Sequence, residues 1–271
     1  RSPEFIKVLT HTKHLLRRLT GSRAVEILAG SGTLANDVIA GQLSLIHKPG
    51  LVLSNGEFGN RLIDHAARFG LSFTVLSAEW GHSFAPEDIH HVLEGNEDIR
   101  WLWAVHCETS SGILNDPVLL QKFCSKRKIH LCLDCISSIG VIPANLRNVY
   151  LASGVSGKGL GSYPGLCMVF HNRRTVPSSP KLPRYLDLGL YASSDGVPFT
   201  FSSNLVYALY AALLGFHSRR YQEISALSSH LKSRLMEAGL QILAAGESTS
   251  PAVVTISLPE TVSSERLGDQ L

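Results

Sequence analysis

Four short stretches carry residue types that could act together on one small molecule. In "ASGVSGKGLG", residues 152–161, Lys158 stands among glycines and small residues, with no helix or partner charge in its local sequence. Lysines ordinarily decorate solvated helices. An amine in such surroundings can act as a nucleophile toward a carbonyl. In "LCLDCISS", Asp134 closes a strongly apolar run. A carboxylate there is costly without a partner, and a cationic ring nitrogen would supply one. In "ILAGSGTLAND", a strand-like run enters Gly30-Ser31-Gly32-Thr33 and then a helical pattern. Small residues at a helix N-terminus let backbone N–H groups approach a phosphate. The spacing is neither that of a P-loop nor that of a dinucleotide fingerprint. "HCETSSG" places His106, Glu108, Thr109 and Ser110 behind a fourth apolar run. Taken singly, each stretch reads equally well as an ordinary turn, cap or surface residue. Taken together they ask for a ligand with a phosphate, a cationic ring nitrogen and an aldehyde. Pyridoxal phosphate has all three, and a phenolic oxygen besides. On this reading Lys158 is the Schiff-base lysine.

The elements that must position these residues alternate from about residue 5 to 175. Helical patterns are "IKVLTHTKHLLRRL", "TLANDVIAGQLSLI", "GNRLIDHAARFG", "APEDIHHVLEG" and "PVLLQKFCSKRK". Strand patterns are "AVEILAG", "GLVLS", "LSFTVLS", "IRWLWAVHCE", "IHLCLDC", "VYLASGVSG" and "GLCMVFHN". Such alternation predicts a doubly wound, mostly parallel seven-stranded α/β sheet flanked by helices, with ligands at the carboxyl ends of the strands. Residues 175–199 read as a Pro/Ser/Gly-rich loop. A long helical region over Leu205–Leu240, a strand "AVVTISLP" and the start of another helix follow. The expected division is a large cofactor-binding domain over 1–215 and the opening part of a small α+β domain over 216–271.

Composition excludes several classes. The 271 residues are 44% hydrophobic and 17% charged with a net charge of +3, too weak a balance to suggest nucleic acid as a partner. No run approaches the ~18 apolar residues of a membrane span, and no signal pattern opens the chain, so a cytoplasmic location is the expectation. The five cysteines make no disulfide framework. Cys132 and Cys135 are three apart on a strand and point to opposite faces, so no metal site is expected.

With these stretches assembled, the chain resembles the class V aminotransferases of the fold-type-I pyridoxal-phosphate enzymes, nearest the 2-aminoethylphosphonate–pyruvate and alanine(serine)–glyoxylate branch. "GSGTLA", "NGEFGNR", "HCETSSGILND", "LDCISSIG" and "SGKGLG" occur in the family's order. The resemblance implies that Ser31, Gly32 and Thr33 hold the cofactor phosphate, with Ser156 in support. It implies that Phe58 and Ile136 cover the two faces of the ring, that Thr109 bonds near the phenolic oxygen, and that Asp134 pairs with the ring nitrogen. Thr200, in "PFTFSSN", would reach the phosphate of a neighbouring subunit, because the family's site lies at a homodimer interface.

The sequence departs from the family at Gly157, where some relatives carry a polar phosphate ligand. The family's N-terminal segment and the substrate-carboxylate arginine of its C-terminal domain are expected outside residues 1–271. Arg61 and Arg184 are then the first arginines to examine. The implied activity is transfer of an amino group from a small amine or amino acid (2-aminoethylphosphonate, alanine or serine type) to pyruvate or glyoxylate. A pyridoxal-phosphate-dependent lyase and a truncated cofactor-binding protein without turnover remain as alternatives.

Overall fold

The computed structural model describes residues 2–270 other than 174, 179, 180, 245, 247, 260 and 261. Helix α1 (Pro3–Thr20) leads into β1 (Ala24–Ala29). Then α2 (Gly32–Ser44), β2 (Gly50–Ser54), α3 (Glu57–Arg68), β3 (Phe73–Ser77), α4 (Pro86–Glu94) and β4 (Trp101–Val105) alternate strictly. A small hairpin, β5 (Cys107–Glu108) with β6 (Ile113–Leu114), precedes α5 (Pro117–Arg127). Strands β7 (His130–Asp134), β8 (Leu151–Val155) and β9 (Leu166–His171) complete the large sheet. Beyond a 3-10 turn at Arg184–Leu186 lie α6 (Leu188–Ser193), α7 (Ser203–Leu214), α8 (Arg219–Glu237), the pair β10 (Gln241–Ile242) and β11 (Ile256–Ser257), and α9 (Ser264–Gln270).

The sheet has seven strands in the order β1-β9-β8-β7-β4-β2-β3. Pairings β2–β3, β2–β4, β4–β7 and β7–β8 are parallel, and only β9 runs against its neighbours β8 and β1. The expected mostly parallel, doubly wound sheet is therefore what the chain forms. Strands β2, β4 and β9 are buried end to end, as strands covered on both faces must be. One cluster gathers Leu9, Leu16, Ile89, Leu120, Val206 and Leu209 against one face of the sheet. A second gathers Ile39, Leu43, Leu62, Ala66, Leu188 and Tyr191 against the other. Cys132 belongs to the second cluster and Cys135 to the first, on opposite faces as their spacing requires.

Several boundaries differ from the sequence reading. Helix α1 begins at Pro3, where Ser2 accepts a bond from the N–H of Phe5 and proline takes a first-turn position that needs no donor. The run "IRWLWAVHCE" breaks after Val105, and its last two residues turn away into the β5–β6 hairpin. The 175–199 stretch is not wholly loop. Leu188 and Tyr191 are buried in the second cluster and draw α6 out of a glycine- and serine-rich sequence. The Leu205–Leu240 region is two helices, with α7 capped at Gly215 and α8 starting four residues later. Of "AVVTISLP" only Ile256–Ser257 pairs, antiparallel to β10. Among the described residues no helix is long and apolar enough to cross a membrane.

Candidate active site

All the parallel strands end at one edge of the sheet, and a cavity of about 370 Å³ opens there. Its wall takes Ser31, Gly32 and Thr33 from behind β1, Phe58 and Arg61 from behind β2, Asp134 and Ile136 from β7 and its loop, and Gly157 and Lys158 from behind β8. Thus seven of the ten expected site residues meet on one wall.

The N-terminus of α2 faces this space without a side-chain cap. Gly32, Thr33 and Leu34 occupy its first three positions, whose N–H groups have no intrahelical acceptor. The first helical bond runs from Ala35 N–H to the Ser31 carbonyl, 3.4 Å, and leaves those three donors free. Gly32 is needed for close approach: a Cβ there would lie 2.4 Å from Cδ1 of Ile136. Free donors, a helix dipole and an open cavity make an anion cradle.

The N-terminus of α3, by contrast, is already occupied by the protein itself. Its cap residue is Gly56, which offers no side chain. Glu108, fully buried, accepts from the N–H of Phe58 at 3.3 Å and of Gly59 at 2.9 Å, while Ser110 Oγ accepts from Glu57 N–H at 3.0 Å. Ser110 in turn donates to Glu108 through its hydroxyl at 2.6 Å. The 107–114 hairpin therefore fixes the first turn of α3 and with it the Phe58 ring. A Cβ on Gly56 would come within 2.5 Å of Ser110 Oγ, which explains the glycine of "NGEFGNR".

Asp134 is 5% exposed. Its Oδ1 accepts from Ile136 N–H at 2.9 Å and its Oδ2 from the Asn36 amide at 2.8 Å. Burial raises its pKa, and the bonds from Asn36 and Ile136 and the charge of Lys158 pull the other way. A cation brought against this carboxylate would lower it again. Asn36 escaped the sequence reading; one turn into α2, it carried no signal beyond following Thr33 by three residues.

Lys158 Nζ donates to Ser137 Oγ at 3.0 Å and lies 5.5 Å from the centroid of the Phe58 ring. Glycines set its loop. Gly140, at φ +86, would place a Cβ 2.4 Å from the Gly159 carbonyl oxygen, and a Cβ on Gly159 would lie 2.3 Å from that of Ile139. The two loops thus touch backbone to backbone, and the lysine is delivered beside Ser137. Gly157 likewise leaves no room, since its Cβ would meet Pro164 Cα at 2.8 Å.

Three expected residues do not line the cavity. Ser156 is fully buried, and its hydroxyl donates to the Tyr163 carbonyl at 2.6 Å and accepts from Leu166 N–H at 3.3 Å, closing the 156–166 loop. Thr109 is absent from the lining, and its buried Oγ1 is without a protein partner. Thr200 lies in a separate surface depression with Phe5 and Tyr185. Burial raises the pKa of all five thiols, Cys107 at the cavity wall included. Among the described residues no group of three or more His, Cys, Asp or Glu is placed to hold a metal ion.

No family model matches the chain. It is 30% identical to the soluble hydrogenase 42 kDa subunit of Anabaena cylindrica, over 96% of this chain and 72% of that protein. It is 28% identical to a 2-aminoethylphosphonate–pyruvate transaminase of Pseudomonas entomophila, over 86% of this chain and 67% of that protein. An alanine–glyoxylate aminotransferase structure from Nostoc sp. superposes with a TM-score of 0.87 at 29% identity, covering 99% of this chain and 76% of that one. The chain belongs to the class V aminotransferase family of fold-type-I pyridoxal-phosphate enzymes. Pyridoxal phosphate is the cofactor of that family and transamination its chemistry. The residues present fit this group. The uncapped end of α2 suits its phosphate, the buried Asp134 its ring nitrogen and Lys158 its aldehyde.

Proposed function

We propose that the chain is an aminotransferase moving an amino group from a small donor of the 2-aminoethylphosphonate, alanine or serine type to pyruvate or glyoxylate. The observation that carries this reading is the convergence of Lys158, the Asn36–Asp134 pair and the open end of α2 on one cavity. Bound there, pyridoxal phosphate would supply an electron sink for charge developing at the substrate carbon. The chain's own groups would do the rest. Ser31, Gly32 and Thr33 would seat the phosphate. Phe58 and Ile136, both on the cavity wall, would hold the ring between them and exclude water. Asp134 would keep a proton on the ring nitrogen. Lys158, the one amine on the wall among the described residues, would take a proton from the substrate carbon and return it one position along.

The same proposal extends to assembly. Thr200, on the surface with Phe5 and Tyr185, is available to a second copy of the chain, which supports a homodimer with shared sites. It also retains the division at about residue 215. Residues 216–271 meet the larger part through bonds such as Leu114 N–H to the Ser248 carbonyl at 2.8 Å and Ser250 N–H to the Gly112 carbonyl at 2.7 Å. A cytoplasmic setting fits the five free cysteines.

The lyase reading gains no specific support. A desulfurase would need a reactive thiolate, and burial holds every thiol of the chain in its protonated form. The test is borohydride reduction after incubation with pyridoxal phosphate, followed by peptide mapping and an assay with each donor and each oxo acid. Label at Lys158 together with amino transfer to pyruvate or glyoxylate is expected. Label at Lys122 or Lys181 instead, or oxo-acid-independent elimination, would overturn the proposal.

A further inference from the structure

The β5–β6 hairpin serves two neighbours at once. On one side it supplies acceptors for the first three N–H groups of α3: Ser110 Oγ accepts from Glu57, and Glu108 from Phe58 and Gly59. The Phe58 ring lies on the cavity wall with Lys158 Nζ 5.5 Å from its centroid, and it is only as steady as the hairpin. Two residues per strand are too few to hold a hairpin still in water. The base of this one is anchored by Asn115, whose backbone N–H donates to the His106 carbonyl at 2.9 Å and whose side chain donates to the Val105 carbonyl at 2.8 Å. The tip, Ser110–Gly112, is held from elsewhere in the chain.

Residues 248–255 do the holding. Leu114 N–H donates to the Ser248 carbonyl at 2.8 Å, Ile113 bridges Thr249, and Ser250 N–H donates to the Gly112 carbonyl at 2.7 Å. The segment thus runs antiparallel along β6 as a third strand. Thr255 Oγ1 donates to the Ser110 carbonyl at 3.3 Å, and the fully buried Ser250 is hydrogen-bonded to the Cys107 thiol. Gly112, at φ +80, admits the approach: a Cβ there would lie 3.3 Å from the Val253 carbonyl oxygen. Helix α8 fastens the segment in turn, because Lys232 Nζ donates to Thr249 Oγ1 at 3.0 Å and to the Ser250 carbonyl at 3.1 Å. Both acceptors are neutral and burial lowers the pKa of this amine, so a partly desolvated ammonium is committed to these two residues. None of Lys232, Ser250 and Thr255 lines the cavity.

We infer that Lys232, Ser250 and Thr255 are positioning residues for the cofactor site: by strapping down the tip of the β5–β6 hairpin they hold Phe58, and with it one wall of the cavity. When these bonds are lost the tip opens locally, Glu108 and Ser110 leave the first turn of α3, and the Phe58 ring gains freedom. The ordering of Phe58 follows from these contacts alone, and its effect on the cofactor rests on the aminotransferase reading above.

The test compares the wild type with Lys232→Met, Thr255→Val and Thr255→Ser. Amide hydrogen exchange is followed residue by residue without cofactor, and pyridoxal phosphate is then titrated while the visible circular dichroism of the bound cofactor is recorded. Exchange of the Phe58 and Gly59 N–H groups should quicken about tenfold in Lys232→Met and about threefold in Thr255→Val, with Thr255→Ser close to wild type. Exchange at Leu62 on α3 and at Trp103 on β4 should not change. Affinity for pyridoxal phosphate should fall by about the same factors, with a weaker dichroic band from the less ordered site. Unchanged exchange at Phe58 and Gly59 in both Lys232→Met and Thr255→Val overturns the inference. So does equal quickening at Leu62 and Trp103, which would be general destabilisation, and so does local quickening with cofactor affinity intact. A wild type that binds no pyridoxal phosphate sinks the aminotransferase reading itself, an outcome that the exchange data keep distinct from the others.

Discussion

The side-chain amide of Asn36 donates to Oδ2 of Asp134 at 2.8 Å, joining the second turn of α2 to the end of β7 at the cavity wall. The bond leaves Asp134 Oδ1 to the Ile136 N–H and the Asn36 carbonyl oxygen without a protein partner. The helix that cradles an anion and the carboxylate that awaits a cation are thereby locked in one geometry. Asp134→Asn should fold normally, since an amide keeps the bond from Ile136, yet turn over on the order of 100-fold more slowly for want of a charge to hold the ring proton. Asn36→Ala should cost far less, about tenfold, by releasing the carboxylate's orientation. Circular dichroism with steady-state rates separates the cases. Near-normal turnover in Asp134→Asn removes that residue from the mechanism.

Lys158 and Ser137 make a second pair, 3.0 Å apart. Lys158→Ala should abolish the borohydride-stable label while leaving non-covalent cofactor binding measurable by fluorescence. Ser137→Ala removes only the acceptor on the resting amine. It should leave the label intact and alter the pH dependence with which it forms. Identical pH profiles for wild type and Ser137→Ala would show that the hydroxyl has no part in setting the amine.

The buried carboxylate of Glu108 takes the place of a missing cap on α3, so its loss should be felt as stability. In Glu108→Gln one oxygen becomes an amide that cannot accept from Gly59 or Phe58, and the charge favourable to the helix N-terminus is gone. The expected cost is about 1–3 kcal/mol in urea unfolding, more for Glu108→Ala, which orphans every donor at once. Ser110→Ala, losing one hydroxyl, should cost about 1 kcal/mol. Equal stability of Glu108→Ala and wild type would mean that the first turn of α3 finds other acceptors.

The sequence was most informative where a residue was locally out of place. A lysine between glycines, an aspartate ending an apolar strand and a glycine-rich turn before a helix all violate what their segments prefer, and all three reach the cavity. Residues that suit their segments stayed hidden. Asn36 is an unremarked polar residue inside a helix, and Glu108 serves a helix that begins about 50 residues earlier in the chain. The role of Ser156 is illegible for a related reason: only the folded loop shows its hydroxyl engaged with Tyr163 and Leu166. Helix α6 lies in a stretch of loop-like composition, and burial of Leu188 and Tyr191 in the second cluster outweighs that composition. The break between α7 and α8 was signalled by Gly215, but the apolar periodicity on either side masked it.

His106 provides a test of how tightly this edge of the sheet is sealed. It is 4% exposed, its N–H bonds the Asp134 carbonyl at 2.9 Å, and its Nδ1 lies 3.9 Å from Cys135 Sγ. Burial lowers its pKa to about 4, against a weaker pull upward from Asp116. In the unfolded chain the same imidazole titrates near 6.5. Between those values the unfolded state binds the extra proton, so the contribution of His106 to stability is complete above about pH 6.5 and is lost as the pH falls toward 4. The loss amounts to about 3 kcal/mol at most. Asp134, raised by burial, works in the opposite sense, but it is common to wild type and variant. Urea unfolding of wild type and His106→Asn at pH 7 and at pH 4.5 isolates the term. The variant should be the less stable at pH 7, and its disadvantage should shrink by about 2 kcal/mol or more at pH 4.5. A stability difference that does not move with pH would mean that water reaches the imidazole.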